Sequence, residues 1–177
     1  GYREADAASP NGYHFDHPIL GRTSTQITGG VSLGGSAREA IVVDGESQVL
    51  QDAYYDLAIE IATKVVSSIN GLSSKQVLEM CKDKVRAIMP YSDSKVEAIS
   101  APYHGDKLVG LSRYVEQKAG VCRHQGLLSA YFTERLIDDS LIRGQVRVER
   151  NDVDGAHAWA IWEERADDPN AIVIDPA

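Results

Sequence analysis

Apolar residues recur at helical spacing through the middle of the chain and alternate with polar ones near its end. Tyr54, Leu57, Ile61, Val65 and Ile69 share one face of a helix expected over 47–69, which Asn70-Gly71 ends. Ser73 with Gln76 makes a capping box for a second helix, stopped by Pro90. Val77, Cys81, Val85 and Ile88 form its inward stripe, so Cys81 reads as a buried, inert thiol. A short helix is expected over 111–118. Gly120 breaks it, and a fourth runs over 122–137 on Leu128, Tyr131, Phe132 and Leu136.

After Asp139 the period becomes two. Residues 145–149, 157–163 and 171–175 read as strands, with a turn over 151–155 and a polar link over 164–170; 40–44 reads as a further short strand. Helices first and antiparallel strands second indicate an α+β domain over 38–177. Residues 1–37 show neither period and read as an irregular arm. Their run Gly29-Gly30-Val31-Ser32-Leu33-Gly34-Gly35 lacks the Gly-Lys-Ser/Thr and the preceding strand of a phosphate loop.

The last two strands allow a sharper expectation. In an antiparallel hairpin centred on Ala166, Ile161 faces Ala171, Trp159 faces Val173 and His157 faces Asp175. His157 and Asp175 then project from one face with Cβ atoms about 5 Å apart, and a slip of one residue would separate them. Trp159 and Trp162 fall on opposite faces, one for the core and the other available to wall a cleft.

Composition narrows the partners. The chain has 177 residues, enough for one domain with its own core, and a net charge of −8, which argues against nucleic acid or an anionic membrane. Two cysteines, Cys81 and Cys122, suit neither a disulfide framework nor a CxxC site. No membrane-spanning run or signal peptide is apparent, so a soluble, cytoplasmic location is expected. A start at Gly1 without methionine, and an end two residues after Asp175, read as an excised fragment.

Cys122 opens the fourth helix in Gly120-Val121-Cys122-Arg123-His124. Helix-start amides and the charge of Arg123 both favour thiolate, the form that attacks carbonyls. A histidine held by an aspartate can take the thiol proton and return it to a leaving amine, and the Cys122 N–H can donate to the oxyanion. His124, two residues on, points across the helix and reads as a packing or backbone-binding group. Zinc held by Cys122, His124, His157 and Asp175 fits no compact zinc signature. Asp152 and Asp154 resemble part of a calcium loop, but Arg150 and Ile161 stand where carboxylates are needed, so a hairpin turn is expected. His14, His17 and His104 receive no role.

Gly-Val-Cys before a helix, His157-Ala158-Trp159 on a strand, and Ile174-Asp175-Pro176 closing the next resemble the transglutaminase-like superfamily over roughly residues 75–177. The resemblance implies a papain-like α+β core, its nucleophile at a helix N-terminus packed on an antiparallel sheet. It makes Cys122 the nucleophile, His157 the base and Asp175 its orienter; the family's calcium sites find no support in these residues, and no cofactor or metal is expected. It also implies an upstream aromatic or amide group at the oxyanion, with Tyr91 the first candidate and Gln117 the second. Cys122-Arg123-His124 followed by Leu127-Leu128 further resembles a related domain found ahead of some plant kinases. The superfamily contains crosslinking transglutaminases, peptide N-glycanases, proteases and members that have lost catalysis. The expected partner is therefore a protein or peptide amide, with water or an amine as acceptor. A non-catalytic binding or scaffold domain on the same fold is the alternative.

Overall fold

The computed structural model describes residues 1–24, 26–151 and 157–177. Within them the chain is an α+β fold of five α-helices and three small sheets. The elements run β1 (Tyr2–Arg3), β2 (Tyr13–His14), β3 (His17–Pro18), β4 (Val31–Ser32), β5 (Ala40–Val42), α1 (Gln48–Ser67), α2 (Ser74–Ile88), α3 (Asp93–Ser100), β6 (Leu108–Gly110), α4 (Leu111–Glu116), α5 (Cys122–Asp138), β7 (Gln145–Asn151), β8 (His157–Glu163) and β9 (Ile172–Ile174). No helix among the described residues is long and apolar enough to cross a membrane.

Helix α5 is the centre of the molecule. Leu127, Leu128, Ala130, Tyr131, Phe132 and Leu136 are all buried, because α1, α2 and α4 cover one side of it and β7–β8 the other. A helix wrapped by neighbours cannot be strictly amphipathic, so its polar residues must find partners inside. Glu134 shows how: its carboxylate accepts from Ile27 N (2.5 Å), Thr28 N (2.9 Å) and Thr28 Oγ1 (2.6 Å).

Those bonds also change the picture of the N-terminal stretch. Residues 1–37 lack periodicity, yet Ile27 and Val31 are fully buried and β4 pairs with β5. The stretch is thus not irregular throughout: it carries the β1-β2-β3 sheet and β4, but strands of two residues and single buried anchors are too short to show a period. The helix caps follow the sequence: Ser47 caps α1, and Ser73 with Gln76 forms the capping box of α2. Tyr54, Leu57 and Ile61 enter the core, but Val65 is exposed where α1 outruns the elements it packs on, and Ile69 lies beyond the helix, which ends at Ser67 rather than at the expected 69. Val77, Cys81 and Val85 are buried and Ile88 is partly so. Besides β1–β4, the unexpected elements include α3 and β6. Helix α3 is too short to display a period, and β6 is recruited by parallel pairing with β5.

The sheet β7-β8-β9 is antiparallel. Ala160 lies opposite Ile174, Ile161 opposite Val173 and Trp162 opposite Ile172. The hairpin is thus centred one residue later than expected, a relative slip of two. Because faces alternate with period two, this slip leaves His157 and Asp175 on a common face, as diagonal rather than direct neighbours.

Candidate functional site

Two glycines set the position of the thiol. A side chain at Gly120 would meet Met89 Sδ at 2.5 Å, so only glycine lets the chain pass there into α5. One turn after Cys122, a Cβ on Gly126 would sit 3.3 Å from Trp159 Cα and 3.4 Å from its N. The start of α5 therefore lies against the start of β8 with backbone nearly touching backbone, and Cys122 and His157 come to line one cleft of about 640 Å³.

His157 Nε2 is 2.5 Å from Asp175 Oδ2. A carboxylate accepts, so Nε2 carries the hydrogen and Nδ1 is the nitrogen left with a lone pair. Asp175 is itself steadied: its Oδ1 accepts from Ala177 N at 3.2 Å, and Arg86 Nε on α2 donates to Pro176 O at 2.8 Å. Both side chains remain partly open to solvent, at 41% and 31%. The Trp159 ring lies 5.6 Å from that of His157 and forms cleft wall, whereas Trp162 is buried and donates to Arg143 O.

Of the two groups put forward for the oxyanion, the structure brings only Tyr91 to the cleft. Its strand-like pairing with Gly120, supported by Gly120 N to Pro90 O and Ser92 N to Gly120 O, holds it beside the helix start. Burial, then the negative charge of Asp93, raises its hydroxyl above the ordinary tyrosine range. Gln117 is exposed at the end of α4 and does not line the cleft, because Lys118, at φ 55°, turns the chain away after it.

Arg123 and His124 do something the sequence did not reveal. Glu39, just before β5, is fully buried and receives both. Arg123 Nε and Nη2 reach its two oxygens at 3.0 and 3.2 Å, and His124 Nε2 donates to Oε1 at 2.9 Å. Val121 N donates to His124 Nδ1 at 3.2 Å, so both ring nitrogens are committed and the ring is neutral. Burial pushes His124 down to about 4, with the Arg123 charge adding to the effect and Glu39 opposing it. For Glu39 burial acts to raise the carboxyl, but bonds from His124 and Arg123 and the guanidinium charge outweigh it and hold it well below the usual range. The Arg123 charge, expected to favour a thiolate at Cys122, is thus largely spent on Glu39. A lone glutamate whose partners lie more than eighty positions away leaves no local pattern to read.

Cys81 is fully buried, with its thiol pushed up to about 12 by burial. The calcium-like turn with Asp152 and Asp154 lies outside the described residues. Set against known proteins, the chain matches no family model, no curated protein and no solved structure.

Proposed function

We propose that the chain is a cysteine-dependent enzyme of the transglutaminase-like type, on a papain-like core, acting on an amide of a protein or peptide. The observation that carries this reading is the His157–Asp175 bond on the wall of the cleft that Cys122 also lines. An aspartate that fixes one imidazole nitrogen leaves the other as a base of defined direction.

In the proposed reaction Cys122 Sγ attacks the amide carbon and its proton passes to His157 Nδ1. The C–N bond breaks as that proton moves to the departing amine, leaving a thioester and a neutral imidazole. Water or a primary amine then gives its proton to His157 and attacks the thioester, and Cys122 leaves as the thiol. Water gives hydrolysis and an amine gives transfer. Donors from the Cys122 backbone, and from the Tyr91 hydroxyl as its neutral, raised form permits, face the oxyanion.

Alkylation by iodoacetamide in mildly acid solution tests the pair, because an isolated thiol reacts slowly there. Cys81 is sealed in the core, so rapid modification should fall on Cys122 alone. Mass spectrometry of candidate proteins, with and without a small primary amine, should then show cleavage, deamidation or an amine adduct that Cys122→Ala abolishes. Slow modification of both cysteines would instead favour a scaffold that has lost catalysis.

A further inference from the structure

Arginines crowd the cleft of an otherwise acidic protein. Among the described residues Arg22, Arg38, Arg123 and Arg150 line it, against the carboxylates of Asp93 and Glu149, whereas the whole chain has 26 acidic residues to 18 basic ones. The carboxylates near it are mostly engaged. Glu149 Oε1 takes Arg22 Nε at 2.9 Å and Arg147 Nε at 3.5 Å; Glu39 takes Arg123 and His124; Asp175 takes His157. Arg38 and Arg150 differ from the other two. Neither is ion-paired with a described carboxylate, and among the described residues Arg150 Nη1 donates to the Leu33 carbonyl, at 3.0 Å. Both are exposed, one just before β5 and the other near the end of β7. The same cleft is also lined by the apolar side chains of Leu20, Leu33 and Trp159.

Guanidinium groups without a described carboxylate partner, in a cleft that also has apolar lining, select a ligand that carries both carboxylates and an apolar side chain. Charges at a rim chiefly set encounter rate and choice of partner. From this we infer that the cleft takes an acidic peptide segment, with Arg38 and Arg150 reading its carboxylates. That the segment is a substrate rests on the function proposed above; that it binds does not. Asp152 and Asp154, between Asn151 and His157, lie outside the described residues, so the preference is measured on the whole chain with both present.

The test uses the whole chain carrying Cys122→Ala and three fluorescent peptides. Each has one glutamine next to a leucine, flanked by glutamate, serine or lysine. Anisotropy should give an affinity for the glutamate peptide at least about tenfold above the serine peptide, with the lysine peptide weakest, and raised salt should shrink the difference. Adding Arg38→Glu and Arg150→Glu together should erase the glutamate-over-serine preference while the melting temperature holds. Equal binding of the three peptides, no binding of any, or a preference that survives the double charge reversal would overturn the inference. Alkylation of Cys122 in the unsubstituted chain reports separately on the chemistry, so either idea can fail while the other stands.

Discussion

His124 and His157 each hold a carboxylate, at 2.9 and 2.5 Å, and both belong to the region around the start of α5. Their surroundings make them opposites. His124 is fully buried, both its nitrogens are bonded, and the Tyr114 ring lies over it at 4.0 Å between centroids. It has no nitrogen to offer a reactant. His157 is 41% exposed, bonded to Asp175 through one nitrogen, and sits on a cleft with a thiol. Histidine beside a carboxylate is therefore not in itself a sign of chemistry; the unspent nitrogen and the access to it are. The two groups divide the labour, one locking the helix start in position and the other facing the cleft.

Removing each histidine in turn should have opposite effects. Replacing His157 with alanine should slow acid-side alkylation of Cys122 by about a hundredfold, the low end of what a positioned histidine contributes to proton transfer. Stability should hardly change, since the side chain is half exposed. If His157→Ala alkylated as fast as the parent while His124→Gln did not, the roles assigned to the two rings would be reversed.

The Glu39 cluster should show the converse pattern, a loss of stability. Glu39→Gln leaves Arg123 without its counter-charge beside a buried ring. Breaking a buried pair costs about 3–5 kcal/mol, and the lower figure is expected here because the Arg123 side chain, 20% exposed, can turn toward water. Urea unfolding measures it. A loss below about 1 kcal/mol would mean that the cluster is not what holds the start of α5.

Acid should separate the two histidines as well. His124 is pushed down to about 4, so the unfolded chain, with its ring near 6.5, binds the extra proton first. This contribution to stability is complete above about pH 6.5 and is lost as pH falls toward 4. Glu39 adds a loss of the same sign further down, because its folded carboxyl is also depressed. Unfolding free energies at a series of pH values should fall through this window, and His124→Gln should flatten the upper part of the slope. An unchanged slope in that variant would show that the ring is not held neutral.

How much of this could be read from the chain follows from the range of each interaction. The thiol at a helix start, the strands over 145–149 and 157–163 and the capping box are local patterns, and the structure has them at Cys122, on β7 and β8, and at Ser73. Strand β8, however, is buried along its second half rather than on alternate residues. His157 and Asp175 were legible across a hairpin because parity tolerates a slip of two, even though the expected register was off. Glu39 was not, since a lone acidic residue before a short strand predicts a surface position and only the fold brings Arg123 to it. Ile27 and Val31 were missed for a related reason: single anchors carry no period. Val65 and Ile69 erred the other way. A helical stripe says which residues share a face, and neither where the covering elements stop, as at Val65, nor where the helix itself ends, as before Ile69.

Gly126 carries the smallest expected effect and sharpens the comparison most, since it sets how near α5 comes to the strand that bears His157. In Gly126→Ala two changes oppose each other in stability. Alanine in a helix interior gains about 1 kcal/mol over glycine, while its Cβ meets Trp159 Cα at 3.3 Å and must push the strand back by a few tenths of an ångström. The melting temperature should therefore move little. The proposed pairing of Cys122 with His157 has no such compensation, because the shift moves the helix start and the strand start apart. Alkylation of Cys122 should slow several-fold with the fold intact, and the acid slope due to His124, on the other side of the same helix turn, should not respond. A variant that kept its full alkylation rate would mean that the contact at Gly126 packs the helix without governing how thiol and imidazole meet.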